Sequence, residues 1–295
     1  MTQAAKISII IPNLHSPIVD QTIESVLAQE TDLPFEVIVV GMDKWGLVEK
    51  FTEVQFIRTL KPVGAAEARN IGIQAAQAEQ LLFIDSDCIA KECWIENITN
   101  AFNEGWSVIG GGVQTPEQPF FLLVYNLAMF HAQLASQKRK PVNFLPTLNL
   151  AVSREVIDKV GLLDEALLRG QDVDWTVRMK LAGYDLLFEP DARVLHKPSK
   201  LDLATLRNYF HKSGYFMIRV RNKYPKVFKI QRFLKISVIY KIFAPLIAGL
   251  TTIKIFFRTS EVRKHWKTVT YIYLLKLSWC QGAADSLKNR EKEFV

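Results

Sequence analysis

The chain has little cysteine: Cys88, Cys93 and Cys280 are the three such residues among 295. Three scattered thiols exclude a disulfide framework, and neither a Cys-x-x-Cys pair nor a Cys/His zinc spacing is present, which favours a reducing compartment. A signal peptide is not expected either, because a run of only five residues separates Lys6 from Pro12. The sequence therefore predicts neither a disulfide-stapled secreted domain nor a zinc module.

The chain does not have the low apolar content of disordered proteins, since 49% of its residues are hydrophobic and 11% are aromatic. Charge is distributed unevenly. Residues 1–196 carry 16 Lys and Arg against 25 Asp and Glu, a net charge of −9, whereas residues 197–295 carry 21 bases and 5 acids, a net charge of +16. A basic, apolar C-terminal part on an acidic body predicts attraction to an anionic surface, either a membrane or nucleic acid.

Short runs rich in β-branched residues alternate with amphipathic segments through the first half of the chain. The runs predict buried strands at Ile7–Ile11, Phe35–Val40, Gln55–Arg58, Leu81–Ile84 and Ser107–Ile109. The segments between them predict helices at Asp20–Gln29, Ala65–Gln77 and Cys93–Asn103. This alternation indicates an α/β fold, with a Rossmann-like, mostly parallel sheet flanked by helices. Ligands of such sheets bind beyond the carboxyl ends of the strands.

Prolines interrupt the pattern between residues 115 and 146, and helical segments follow. They are predicted at Arg154–Val160 with Ser153 as its cap, at Gln171–Ala182, and at Thr205–Lys223.

Two apolar stretches, Ile236–Ile253 and Val269–Trp279, end the chain and contain Lys241 and Lys276. The first is near the lower limit for spanning about 30 Å of hydrocarbon, and an internal lysine disfavours a span. We therefore expect in-plane amphipathic helices, with residues 1–230 as a catalytic domain and residues 231–295 as a basic, apolar, membrane-associating helical tail.

The sharpest chemical signal is a pair of carboxylates, Asp85 and Asp87, directly after the predicted strand Leu81–Ile84. Two hard oxygen donors at the carboxyl end of a strand suit Mn²⁺ or Mg²⁺ held jointly with substrate phosphates. An ordinary acidic turn has the same pattern, so the pair alone leaves both interpretations open.

The surrounding motifs, taken in order, resemble family 2 glycosyltransferases, which have the A-type nucleotide-diphospho-sugar transferase fold. The resemblance covers about residues 5–225 and is carried by Ser8–Asn13, Lys61–Gly72, Asp85–Asp87, Gly161–Glu165, Gln171–Trp175, Gly183-Tyr184 and Ala192–His196.

The resemblance implies roles for individual residues. Asp87 and His196 would be ligands of the divalent cation, Mn²⁺ or Mg²⁺, that bridges the diphosphate of the donor. Asp172 would deprotonate the acceptor hydroxyl, and a helix N-terminus at this position would keep its carboxylate ionised. Gln171 replaces the Glu that usually precedes this Asp, while Asp174 is a secondary candidate for the base.

Donor-binding residues are also implied by the resemblance. Pro12 and Asn13 end the first strand, Asp85 would face the ribose or sugar, and Arg69 would approach the donor phosphates or brace Asp85. The second strand departs from the family pattern, because adjacent acids are missing there and Asp43 is the nearest substitute.

The resemblance thus implies an inverting glycosyltransferase that moves a sugar from a nucleoside-diphosphate sugar to an acceptor hydroxyl, in envelope polysaccharide or glycolipid synthesis. Its expected partners are the donor, a glycan or lipid-linked acceptor and an anionic membrane surface, but no nucleic acid. We expect it at the cytoplasmic face of the membrane, peripheral or anchored through its C-terminal part. A non-catalytic membrane- or nucleic-acid-binding protein on a degenerate transferase fold remains the alternative, given Gln171 and the altered second strand.

Overall fold

The computed structural model describes residues 6–199, 202–229 and 236–292. Its backbone divides into two compact units: unit 1 comprises Met1–Gln114 and Gln137–Ser199, and unit 2 comprises Thr115–Ser136 and Lys200–Val295. This division does not coincide with the predicted domain boundary at residue 230, because the helix Leu203–Lys223 packs with the C-terminal helices in unit 2.

Unit 1 is built on a nine-stranded sheet. The strands are β1 Ile7–Leu14, β2 Phe35–Met42, β3 Val54–Arg58, β4 Gln80–Ile84, β5 Cys88–Ala90, β6 Val108–Gln114, β7 Lys140–Val142, β8 Asn149–Ser153 and β9 Leu186–His196. They are ordered β3-β2-β1-β4-β8-β6-β9-β5, with β7 paired to β9. Strands β3, β2, β1 and β4 are mutually parallel, as are β6 and β9.

The five predicted strands and the α/β class are confirmed, with small changes at the ends. The structure adds four strands. Strand β9 runs parallel to β6, β8 runs antiparallel to β4 and β6, and β5 and β7 run antiparallel to β9. Strands β5, β7 and β8 have three to five residues, too few for a side-chain alternation to reveal them in the sequence.

The helices are α1 Val19–Leu27, α2 Ala65–Ala75, α3 Trp94–Asn103, α4 Phe120–Phe130, α5 Arg154–Val160, α6 Gln171–Leu181, α7 Leu203–Lys223, α8 Ser237–Arg258, α9 Ser260–Lys264 and α10 Val269–Lys292. Unit 1 contains α1, α2, α3, α5 and α6, and the other helices belong to unit 2. One local prediction is wrong. Ser153 precedes α5, but its side chain makes no capping hydrogen bond, because this residue is the last of β8 and its hydroxyl is enclosed with no partner in the described part of the chain.

The core of unit 1 fixes helix α6 against the sheet. Trp175 and Met179 are fully buried, as their four-residue spacing predicts. The Trp175 ring meets Phe83 of β4 edge-on with centroids 5.6 Å apart, and its Nε1 donates to the Gly161 carbonyl at 2.8 Å. The first turn of α6, which bears Asp172, is thereby held by a large aromatic anchor.

Unit 2 is helical, and α10 packs along both α7 and α8. The predicted apolar stretches are confirmed as helices, each longer than expected. Among the described residues, α8 is the one helix long and apolar enough to cross a membrane, although Pro245 lies inside it.

Candidate active site

An open cleft of about 380 Å³ lies at the carboxyl ends of β1 and β4 in unit 1. Because these strands are neighbours and parallel, their C-terminal loops meet at one edge of the sheet. The cleft is lined by Pro12–Ile18, Val63, Ala65, Ala68, Arg69, Asp85–Asp87, Lys197 and Ser199. Five predicted site residues, Pro12, Asn13, Arg69, Asp85 and Asp87, are therefore brought together here.

Arg69 of α2, which is buried, and Asp85, which is partly exposed, form an ion pair that lines this cleft. The Arg69 guanidinium donates to Asp85 Oδ1 through one terminal nitrogen and to the Ala65 carbonyl at 3.1 Å through the other. Burial raises the pKa of Asp85, the Arg69 charge opposes this, and Asp87 adds to the rise. Arg69 Nε is enclosed and has no hydrogen-bond partner among the described residues.

Asp87 and His196 face each other although they are distant in sequence. The pairing of β5 with β9 places His196 opposite Cys88, and His196 Nε2 then lies 3.6 Å from Asp87 Oδ1. Burial alone would raise the pKa of Asp87, but the imidazole of His196 outweighs it and holds the pKa below its ordinary value. The carboxylate is therefore ready to act as a ligand.

The residues present fit a divalent cation. One ligand atom each from Asp87, Cys88 and His196 lies within 4.8 Å of the others. Two ligands at about 2.1 Å from one octahedral ion are roughly 3 Å apart, so the Asp87 and His196 atoms need only a small adjustment to share an ion. Burial raises the pKa of Cys88 well above that of a free thiol, so the carboxylate and imidazole are the more suitable ligands.

Asp172 is partly buried in the first turn of α6, and its Oδ1 accepts from the Val173 amide at 2.8 Å. Burial raises the pKa of Asp172, and the Val173 amide and the Arg69 charge offset this only in part, while Asp85 raises it further. Arg69 and Asp85, which line the cleft, therefore also act electrostatically on Asp172.

Gln171 and Asp174, which flank Asp172 in the first turn of α6, have different surroundings. Asp174 is fully buried and pairs with Arg178 at 3.1 Å, which gives it a structural contact in α6. Gln171 Oε1 is enclosed without a hydrogen-bond partner among the described residues.

Asn13 and Asp43 hold loops at this edge of the sheet. Asn13 donates to the Met42 carbonyl at 3.1 Å and accepts from the Ser16 amide at 3.0 Å. Asp43 accepts from the amides of Trp45 at 3.0 Å and Val48 at 2.8 Å. Asp43 is outside the set of residues that lines the cleft, so its predicted contact with the nucleobase stays a prediction.

Sequence reasoning missed Ser16 and Lys197. The Ser16 hydroxyl donates to the Ser86 carbonyl at 2.7 Å, which ties the loop after β1 to the loop that bears Asp85 and Asp87. Lys197 brings an ammonium group to the cleft, and its amide donates to the Asp87 carbonyl at 2.8 Å. The signal for Lys197 was its position directly after His196, and that for Ser16 was the Asn-x-x-Ser spacing of an Asx turn.

This partly parallel sheet brings together an Asp-x-Asp pair, a buried arginine, a histidine and an aspartate at the start of a helix. Together with the α/β fold, this set of residues is typical of nucleotide-sugar transferases of the A-type fold. The family model of Glycosyl transferase family 2 matches residues 8–161, just over half of the chain. The chain therefore belongs to this family.

Relatives and solved structures agree with this assignment. The chain is 25% identical over 227 residues to glycosyltransferase AglE of Haloferax volcanii, which covers 76% of this chain and 71% of AglE. Its fold is similar to that of the mannosyltransferase PcManGT of Pyrobaculum calidifontis, solved with GDP-Man and Mn²⁺, with a TM-score of 0.59, 14% identity and coverage of 93% and 86%. It is also similar to S. aureus TarS solved with UDP-GlcNAc, with a TM-score of 0.56, 14% identity and coverage of 98% and 92%.

The predicted enzyme class is thus confirmed: the protein is a glycosyltransferase. The alternative of a non-catalytic protein is not supported, because the chain belongs to a family of enzymes and its curated relative AglE is a glycosyltransferase. The roles of the individual site residues stay predictions.

Proposed function

We propose that the protein is an inverting glycosyltransferase that moves a sugar from a nucleoside-diphosphate sugar to an acceptor hydroxyl in one in-line displacement. The observation that carries the proposal is the 3.6 Å approach of His196 to Asp87 beside the Arg69–Asp85 pair. This arrangement supplies ligands for a cation that holds a diphosphate.

Asp172 would take the proton from the acceptor hydroxyl as its oxygen attacks the anomeric carbon and the bond to the diphosphate breaks. Burial raises the pKa of Asp172, so its carboxylate is a stronger base than that of an exposed aspartate. Arg69 keeps Asp85 in place through its ion pair, and Lys197 adds positive charge on the side of the departing diphosphate.

A divalent cation, Mn²⁺ or Mg²⁺, is proposed at Asp87 and His196. When bound, it would neutralise the charge that develops on the leaving nucleoside diphosphate. The solved mannosyltransferase PcManGT contains Mn²⁺ with GDP-Man, which supports a cation in this chain as well.

We also propose that α8 lies in the plane of an anionic membrane. Its exposed apolar side chains recur along one face of the helix: Val238, Ile242, Phe243, Leu246, Leu250, Ile253 and Phe257. Lys241 and Lys254 are exposed on α8 as well. By the 100° rotation per residue of an α-helix, the two lysines border this face on either side, as interfacial helices require.

This location suits an enzyme that uses cytoplasmic nucleotide sugars at the cytoplasmic face of the membrane and acts on a glycan or lipid-linked acceptor. Synthesis of envelope polysaccharide or glycolipid is the corresponding process. No nucleic-acid partner is proposed.

A panel of nucleotide sugars tests the proposed chemistry. Each sugar is added to the full chain with Mn²⁺ or with a chelator, and thermal unfolding and nucleotide release are followed. We expect one donor to raise the melting temperature and to be turned over only when the cation is present. Equal protection in chelator, or no protection by any donor, would contradict metal-assisted transfer.

A further inference from the structure

Unit 2 contains two cationic side chains, Lys276 of α10 and Arg221 of α7, that lie among aromatic rings. Lys276 Nζ donates to the Ala128 carbonyl at 2.8 Å and lies 5.6 Å from the centre of the Phe210 ring. Only one of its three donor positions is used in this way. Burial lowers the pKa of Lys276 to about 8, and the Arg221 charge contributes to the fall.

Arg221 is more poorly satisfied than Lys276. Its guanidinium lies 4.7 Å from the centre of the Trp279 ring and 5.9 Å from that of Phe228. Its Nε is enclosed and has no hydrogen-bond partner within the part of the chain that the structure describes. Burial lowers the pKa of Arg221, yet a guanidinium stays protonated at any pH the protein meets.

Among the described residues, no carboxylate pairs with either cation. Elsewhere the same chain does pair its enclosed arginines, since Arg69 binds Asp85 and Arg178 binds Asp174. Buried charges in proteins are normally paired, because an isolated one loses its hydration without compensation. Trp279, whose ring contacts Arg221, lies three residues after Lys276 on the same face of α10, so both unpaired cations are on one side of this helix and mark a place for an anion.

We propose that Arg221 and Lys276 bind a phosphate group. A guanidinium presents parallel N–H donors that match two phosphate oxygens, and an ammonium adds a point charge from a second helix. The phosphate is either free in solution or carried by a lipid. The lipid source rests on the proposed membrane function, because α8 of the same unit bears the exposed apolar face.

The first arm of the test uses inorganic phosphate with a chelator present. Melting temperature is followed for the full chain, for Arg221→Met and Lys276→Met, and for Lys212→Met, which removes an exposed lysine of α7 as a control. We expect phosphate to stabilise the parent and the control, and both site variants to bind at least tenfold more weakly. Without phosphate, the site variants should be at least as stable as the parent, because methionine replaces an unpaired charge.

The second arm identifies the source. The same proteins are sedimented with vesicles of phosphatidylcholine, with or without phosphatidic acid. A loss of phosphatidic-acid-dependent binding in the site variants assigns the site to lipid phosphate, and unchanged vesicle binding with lost phosphate affinity assigns it to free phosphate.

The proposal is overturned if phosphate stabilises the parent no more than it stabilises the two site variants. Donor binding with Mn²⁺, measured in the same variants, separates this outcome from the proposed function. Donor binding should be unchanged in Arg221→Met and Lys276→Met. Asp87→Ala should lose donor binding yet keep its response to inorganic phosphate.

Discussion

The pKa values of two site aspartates depend on the neighbours of each residue more than on the residue type. The imidazole of His196 holds the pKa of Asp87 below its ordinary value, whereas burial raises the pKa of Asp172. A ligand should be ionised at all working pH values, and a base should be able to accept a proton, so the two environments suit the two roles.

We expect Asp87→Ala to abolish donor binding that depends on a divalent cation, because it removes the ionised oxygen that faces His196. Donor titrations with Mn²⁺ and with a chelator, read by calorimetry, should become indistinguishable in this variant. Asp185→Ala, which removes an exposed carboxylate from a surface pair with Lys180, serves as the control and should bind as the parent does. A cation-dependent affinity retained by Asp87→Ala would move the metal site elsewhere.

For the base, Asp172→Asn should lower transfer by roughly 10²–10⁴-fold while donor and metal binding persist. Single-turnover transfer and donor titration separate the two effects. Asp174→Asn is the matched control, and it should chiefly reduce stability because its carboxylate pairs with Arg178. A rate for Asp172→Asn within about threefold of the parent would transfer the role to another group.

The raised pKa of Asp172 also predicts a pH dependence. Only the ionised carboxylate accepts a proton, so transfer should fall as the pH drops through the pKa of this group. Because that pKa lies above the ordinary 3.8, the fall should begin at a higher pH than for an exposed aspartate. The acid limb of the rate profile should disappear in Asp172→Asn, and a profile identical to that of the parent would exclude Asp172 as its origin.

At the scale of elements, the contact of α7 with α10 depends on two glycines. A Cβ built on Gly214 would overlap the Trp279 carbonyl oxygen, and one on Gly282 would overlap the His211 carbonyl oxygen. Both obstacles are backbone atoms, which cannot move away as a side chain can. The two helices therefore approach more closely than side chains at these positions would allow.

We expect Gly282→Ala to lower the free energy of unfolding by about 1–3 kcal/mol, the usual cost of overpacking. Gly249→Ala in α8 is the control, because a Cβ there would meet nothing within 4 Å. That change should stabilise by about 0.5–1 kcal/mol through the better helix propensity of alanine. Thermal unfolding followed by circular dichroism measures both, and equal effects of the two substitutions would mean that the close approach contributes nothing.

At the scale of the whole molecule, charge and apolar surface are concentrated in the same part of the chain. Residues 197–295 carry a net charge of +16, and α8 exposes its apolar face within this part. Each base near an anionic lipid contributes about 1 kcal/mol, and insertion of an apolar face adds to this.

The full-length protein should therefore sediment with anionic vesicles at low salt, and less so as salt rises. Replacing Ile242 and Leu246 together by Glu should abolish most of this binding, because both side chains are exposed on the apolar face of α8. Leu181→Glu, at an equally exposed leucine of unit 1, should leave it unchanged. If the parent does not bind anionic vesicles at low salt, α8 has another partner and the membrane proposal is wrong.

Local pattern in the sequence was sufficient for most elements. The strand Phe35–Met42 is recognisable as a short apolar run rich in β-branched residues, and the helix Gln171–Leu181 as a segment that ends just before Gly183. The carboxylates Asp85 and Asp87 were also found locally, because the end of a strand in an α/β sheet predicts where a ligand binds.

Only the tertiary structure decided which distant residues meet and how burial changes them. His196 reaches Asp87 because β9 pairs with β5, a strand of three residues that the sequence does not reveal. The charge of Arg221 on α7 acts on Lys276 of α10 because these two helices pack together, and the raised pKa of Asp172 follows from its burial. Sheet register and desolvation depend on contacts between segments far apart in the chain, and hydrophobic periodicity carries no information about such contacts.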